Sequence, residues 1–172
     1  MSAYLINGPS GSGKTSIGDE LQRKGFHVIN TDEKFGYYAN LKTEEAVEFP
    51  VDEVTEEWYR DNGWIWNRKK MEYTLTRTDE DIFLCGGSLN ESSFYPRFEK
   101  IFRLVVDADI LVARIKSRGN DGHTNNPDFI ARMLNFLETA KLDGEKAGMI
   151  IIDTSRKSIS ESTDELLSYL QK

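Results

Sequence analysis

Short, unbroken apolar runs alternate along the chain with longer stretches whose apolar residues recur every three or four positions. Ala3-Tyr4-Leu5-Ile6 is the first such run and ends at Asn7-Gly8. A run of this kind suits a parallel strand covered on both faces, where alternation is not required. Phe26 to Ile29, Ile82 to Cys85, Ile101 to Val106 and Met149 to Ile152 repeat the pattern and predict four further strands. Between them the period lengthens. Thr15 to Lys24 has helical composition, with Ile17 and Leu21 four apart and Gly25 as a C-terminal stop. Ile110 to Ser117 predicts a helix with Asp107 or Asp109 as its N-cap. Phe129 to Leu142 predicts another, with Ile130, Met133, Leu134 and Leu137 on one stripe. Ser160 to Leu170 reads as a last amphipathic helix, capped by Ser160 or Thr163. Thr43 to Thr78 is polar, shows no strand signal and is divided at Asp61-Asn62-Gly63, which predicts two helices with a break. Gly119 to Pro127 reads as a loop. Strands alternating with helices predict an α/β fold with a parallel sheet between helical layers.

The sharpest chemical signal follows the first strand. Gly8-Pro9-Ser10-Gly11-Ser12-Gly13-Lys14-Thr15 fits G-x-x-x-x-G-K-[ST] at every fixed position, with an apolar strand leading in and a helix leading out. Glycines let consecutive backbone N–H groups turn inward around phosphate oxygens where side chains would collide. The helix N-terminus adds unpaired donors and positive potential. Lys14 is expected to reach the β- and γ-phosphates and the Thr15 hydroxyl to bind Mg²⁺. The nucleotide site therefore comprises Gly8, Ser10, Gly11, Ser12, Gly13, Lys14, Thr15 and the adjacent Ser16.

Composition narrows the class. The 172 residues carry 22 Lys and Arg against 29 Asp and Glu, a net charge of −7, which disfavours a nucleic-acid partner gripped by a broad basic surface. The single cysteine, Cys85, needs no oxidising compartment. No apolar run approaches the roughly 20 residues of a membrane span, and a structured motif beginning at Gly8 leaves no room for a cleaved leader. A soluble, cytoplasmic protein is expected. A guanine-reading Asn/Thr-Lys-x-Asp element is missing, which argues against a switch GTPase. The third strand ends in glycines where a motor ATPase would want an acid, and Asp107 more simply caps a helix.

In these motifs the chain resembles the small P-loop kinases of the nucleoside monophosphate kinase superfamily, particularly the shikimate- and gluconate-kinase-like members. Leu111-x-x-Arg114-x-x-x-Arg118 is similar to the family's helix leading into its lid, and Arg118-Gly119-Asn120-Asp121-Gly122 to the start of that lid. Gly86-Gly87 resembles the glycines bordering the acceptor in shikimate-type kinases, and Ile152-Asp153-Thr154-Ser155 the adenine-side loop. The resemblance implies a three-layer P-loop kinase fold with a five-stranded parallel sheet in the order 2-3-1-4-5, flanked by helices. It implies one domain over residues 1–172, with an acceptor-binding helical segment at about 40–79 and a mobile lid at about 118–127. It also implies that Arg114 stacks on adenine or approaches its phosphates, that Arg118 swings onto the transferring phosphoryl group, and that Thr154 and Ser155 lie beside the base.

Asp32, just beyond the second strand, faces the P-loop if neighbouring strand ends converge. There it accepts a proton from the acceptor hydroxyl, binds that hydroxyl or holds a metal-bound water; as an alternative it merely caps a helix begun with Glu33. Shikimate kinases carry Asp-x-Asp at this place, whereas this chain reads Asn30-Thr31-Asp32, which loses the first carboxylate. Trp64, Trp66 and Arg68 are the expected acceptor contacts, together with Gly86, Gly87 and Arg132, since aromatic faces beside cations suit a base, a sugar ring or an anionic metabolite. The Gly-Phe-Pro-Arg run that adenylate kinases carry after the third strand is not there; Phe94-Tyr95-Pro96-Arg97 comes later. The expected activity is Mg²⁺-dependent transfer of the γ-phosphoryl group of ATP to a hydroxylated metabolite, nucleoside or nucleotide. The alternative is a nucleotide-binding regulator or ATPase without a small acceptor.

Overall fold

A computed structural model describes residues 1–50, 54–77, 79–117 and 127–170. Five strands form one parallel sheet: β1 (Ala3–Asn7), β2 (His27–Asn30), β5 (Ile82–Cys85), β6 (Lys100–Val105) and β7 (Ile150–Asp153), ordered β2-β5-β1-β6-β7. Counted within the sheet alone, that is the expected 2-3-1-4-5. Helices cover both faces of this parallel sheet, which is why its apolar runs are short and continuous. Every residue of β1 and β5 is buried.

Successive residues of the central strands point to opposite faces and found two cores. Leu5 and Leu84 pack with Ile29, Met71, Phe94 and Phe98 on one face. Ile6 and Phe83 pack on the other with Ile17 and Leu21 of α1 (Lys14–Arg23) and Leu166 of α7 (Ile159–Ser168). A third apolar cluster joins Leu111 and Ile115 of α5 (Ala108–Ser117) to Phe129, Met133 and Leu137 of α6 (Pro127–Lys146). This packing seats α5 and α6 at the sheet edge where β1 and β6 end.

The segment between β2 and β5 differs from the helical expectation. After the short α2 (Thr31–Lys34) comes β3 (Gly36–Asn40), paired antiparallel with β4 (Asn62–Trp66), while α3 (Glu56–Asp61) and α4 (Arg68–Arg77) flank β4. The two helices exist, but Asn62-Gly63 opens a strand where a break alone was expected. Trp64-Ile65-Trp66 has the aromatic and β-branched character that favours a pleated surface, and the charged residues around it hid that run. Helix α6 also runs beyond its apolar stripe to Lys146. The cap of α7 is Ser158, in a capping box with Glu161, in place of Ser160 or Thr163. The expected lid, apart from Pro127, lies outside the described residues, and Arg118 with it.

Candidate active site

The phosphate loop runs from the end of β1 into α1. Gly13 is the N-cap of α1 and sits in the left-handed region at φ 100°, a conformation that favours glycine. Lys14 Nζ folds back onto the loop, donating to the carbonyls of Gly8 at 2.7 Å and Pro9 at 3.0 Å. Its charge is thus already placed at the mouth of the loop. Ser12 is fully buried, whereas Ser10 lines the cleft beside Lys14. Thr15 and Ser16 are exposed on the first turn of α1.

Arg114 and Thr154 lock this loop to its neighbours. Arg114 donates to Thr154 O at 2.8 Å, to Thr154 Oγ1 at 3.2 Å and to Gly11 O at 3.4 Å. Thr154 Oγ1 donates to Ser12 O at 2.9 Å. Helix α5, the turn after β7 and the phosphate loop are therefore one hydrogen-bonded unit. Ser155 serves locally: its Oγ accepts from Asp107 N at 2.8 Å and donates to Asp153 at 2.6 Å. Those Ser155 bonds hold the Asp153 carboxyl below its ordinary range.

Beside the loop opens a cleft of about 400 Å³ lined by Gly8, Pro9, Ser10 and Lys14 on one side and by Asp32, Trp64 and Gly87 on another. Asp32 is not the N-cap of α2; Asn30 is, accepting from Asp32 N at 3.1 Å. The Asp32 carboxylate is left to face the cleft, where Oδ1 accepts long bonds of 3.4 Å from both Trp64 Nε1 and Gly87 N. Gly86 makes that approach possible, because a Cβ there would lie 1.8 Å from Thr31 Oγ1 and 2.8 Å from Asp32 Oδ1. The structure therefore brings together Lys14, Asp32, Trp64, Gly86 and Gly87.

Three expected acceptor contacts fall elsewhere. Trp66 is fully buried against Phe94, in the core beneath β4, and its side chain has no route to a ligand. Arg68 points away from the cleft into a forked pair with Glu44 at 2.7–2.9 Å and a bond to Ser93. Arg132 lies on the Tyr59 ring, 3.4 Å from its centroid, and bonds Glu56 at 3.3 Å. Each is engaged by residues distant in sequence: Trp66 by Phe94, Arg68 by Glu44 and Arg132 by Tyr59 and Glu56.

The cleft contains residues that sequence patterns did not assign. Arg103, the one charge in the apolar run Ile101–Val105 of β6, lies 6% exposed at the cleft floor and pairs with Glu91 at 3.3 Å. Glu91 also accepts from Asn7 Nδ2 at 2.9 Å and Tyr95 Oη at 2.7 Å. Burial, and next the Glu91 charge, push the Tyr95 phenol above its ordinary pKa. Asn90 holds the start of this 3₁₀ turn (Glu91–Arg97) by bonding both the N–H and the C=O of Trp66. Tyr38, Leu89, Phe129, Met133 and Phe136 complete the walls. Burial, then the nearby Tyr59, pushes the Tyr38 phenol up to about 12, so it stays a neutral donor. The isolated charge in β6 was the available signal for this floor. Among the described residues, Arg103 Nε and Asn7 Oδ1 are buried here without hydrogen-bond partners.

Hard oxygen donors suit a magnesium ion that keeps most of its waters and is bridged by nucleotide phosphates. The exposed Thr15 hydroxyl fits that role. Thr15 lines a pocket beside α1, and Asp32 lines the cleft. Among the described residues no cluster of three or more His, Cys, Asp or Glu is placed to hold a metal by itself, and no helix is long and apolar enough to cross a membrane.

A family model for the AAA domain matches residues 5–135. No curated protein matches the chain by sequence. Solved structures match in fold at low identity. The shikimate kinase from Acinetobacter baumannii, in complex with shikimate, has a TM-score of 0.63 at 13% identity, covering 99% of this chain and 93% of that one. Deoxyadenosine kinase from M. mycoides with bound dATP gives 0.55 at 16%, over the full length of both. A gluconokinase from Sinorhizobium meliloti 1021 gives 0.53 at 17%, over 99% and 95%. Likeness at these identities concerns the backbone, and the backbone here carries the same sheet order with a phosphate loop after its first strand. The chain belongs to the AAA domain family, built on the fold of the small shikimate- and gluconate-kinase-like P-loop kinases.

Proposed function

We propose that the chain transfers the γ-phosphoryl group of ATP, with Mg²⁺, to a hydroxyl group of a small molecule bound in the cleft. The observation that supports this reading is that the Asp32 carboxylate and the Lys14 ammonium line one cleft beside the phosphate loop. A phosphoryl acceptor needs a proton-accepting group on its own side and a cation on the donor's side. In this reading Lys14 exchanges the Gly8 and Pro9 carbonyls for the β- and γ-phosphates. The amides of Gly8 to Thr15, with Ser16 beside them, hold the triphosphate. Arg114, Thr154 and Ser155 border the adenine side. Asp32 orients the acceptor hydroxyl and takes its proton as the bond to phosphorus forms, and Gly86 and Gly87 let the acceptor approach. Mg²⁺ held through Thr15 neutralises charge on the phosphates.

The test is a screen of hydroxylated metabolites, nucleosides and nucleoside monophosphates for ADP release, with Lys14→Ala as control. An acceptor that accelerates ADP release well above the acceptor-free rate, with phosphate appearing on that acceptor, is the expected result. Triphosphate binding with slow hydrolysis that no acceptor accelerates would replace this reading with an ATPase or a regulator.

A further inference from the structure

The cationic residues that would suit an anionic acceptor are turned away from the cleft or neutralised. Arg68 is held by Glu44 and Arg132 by Glu56. Of the charged residues lining the cleft among the described ones, Lys14 belongs to the phosphate loop. What remains toward the acceptor is Arg103 against Asp32 and Glu91, one positive charge against two negative. The Arg103 charge is paired within the protein, 3.3 Å from Glu91, and its guanidinium lies 5.2 Å from the Phe136 ring centroid. The same walls are strongly apolar and aromatic. Trp64 and Tyr38, whose rings stand 5.0 Å apart in edge contact, come from the β3–β4 hairpin, while Phe129, Met133 and Phe136 come from α6. Aromatic walls bury flat apolar surface, and once the nucleotide's phosphates engage Lys14, a carboxylate or phosphate brought among them would lose its hydration for a net negative environment.

We propose that the acceptor is an uncharged alcohol carrying a flat ring, of which nucleosides are the biological type, and that Glu91, by neutralising Arg103, excludes anionic acceptors such as sugar acids and nucleoside monophosphates. This rests on the phosphotransferase reading of the cleft and sharpens it. The ring lies against Trp64 and Tyr38, with Asp32 left for the hydroxyl. Exclusion then comes from an unfavourable element, a negative balance opposite the place where an anion would sit, as much as from attraction to the neutral ring.

Titration calorimetry with the intact chain measures this without turnover. The panel is a set of nucleosides, their own 5′-monophosphates, shikimate and gluconate. At least one nucleoside is expected to bind about tenfold or more tightly than its monophosphate, the difference that one unfavourable charge at close range produces. Glu91→Gln, which keeps the shape but frees Arg103, is expected to narrow or reverse that preference by improving monophosphate binding. Should Glu91→Gln fail to fold by circular dichroism, Asp32→Asn, outside the buried network, removes the other negative charge and is expected to shift the preference the same way. Tighter binding of the anions by the wild type overturns the proposal, as does binding of MgATP with none of the neutral ring alcohols bound. A preference that neither variant moves also overturns it. Nucleoside binding without phosphoryl transfer would leave this inference standing and remove the phosphotransferase reading; transfer to an anion would do the reverse.

Discussion

On the nucleotide side of the cleft, the groups expected to meet phosphate are main-chain amides between β1 and α1, held in place by Arg114 and Thr154 bonding to the carbonyls of Gly11 and Ser12. On the acceptor side, the walls are side chains from the hairpin, the 3₁₀ turn, β6 and α6, of which only the turn and β6 are consecutive in sequence. Backbone recognition demands a fixed local run of glycines, so it leaves a readable motif. Side-chain recognition assembled from distant elements leaves scattered residues whose meaning depends on what they pair with. The two sides should therefore respond to substitution in different ways.

Lys14→Ala is the strongest way to break the nucleotide side. It removes the charge that stands at the loop mouth while deleting two hydrogen bonds to carbonyls that can turn to water. Turnover is expected to fall on the order of 10³-fold, and MgATP binding to weaken sharply in calorimetry. A melting temperature close to the wild type would show that the loss is chemical and not structural.

Asp32→Asn probes the boundary between the two sides. The amide oxygen can keep the bonds from Trp64 Nε1 and Gly87 N, so the cleft should hold its shape. Loss of the proton acceptor is expected to lower kcat by about 10²-fold or more, with MgATP affinity unchanged. Equal losses in kcat and in MgATP affinity would instead place Asp32 on the metal.

Gly36→Ala tests the acceptor wall without touching the loop. A Cβ at Gly36 would lie 2.2 Å from Trp64 Cζ2 and 2.7 Å from the backbone oxygen of Asp32. The indole must move, and with it the bond to Asp32. The expected result is a rise of about tenfold in acceptor KM, an unchanged KM for ATP and a stability loss of about 1–3 kcal/mol in denaturant titration. A variant that weakened both substrates equally would show that the two sides are not independent.

The same division explains how much was legible beforehand. Ala3 to Ile6 and Ile82 to Cys85 are buried on both faces, so composition alone identified them, and the glycine spacing identified the loop. The β3–β4 hairpin leaves no alternation to read, because Ile65 and Trp66 are both buried, Trp64 faces the cleft and charged helices flank the run. Trp64 and Trp66 are alike as residues and, two apart on β4, share a face of the strand; only their place along it sets Trp66 against Phe94 and Trp64 beside Asp32. Arg103 stood out as a charge in an apolar strand, but its partner Glu91 lies on another element. A pairing across twelve residues and a turn has no periodicity to betray it.

The smallest effect is expected where sequence reading placed a large one. Arg68→Ala and Arg132→Ala each remove a cation next to the acceptor segment, but both guanidinium groups are engaged outside the cleft. Each variant is expected to change turnover by less than about twofold, since no substrate charge depends on it. For Arg68 the effect should appear in acid stability instead. Its hydrogen bonds hold the Glu44 carboxyl below the ordinary glutamate range. A depressed folded pKa stabilises above the unfolded value, and that stabilisation is lost as pH falls through the depressed value. Because Arg68 and Glu44 are 47% and 34% exposed, solvent screening keeps the contribution to about 0–1 kcal/mol. Urea midpoints for wild type and Arg68→Ala should differ slightly at neutral pH and converge in acid, below the ordinary carboxylate range. A tenfold rise in acceptor KM for Arg68→Ala would return this arginine to the site, and an anion would then have a partner in the cleft after all.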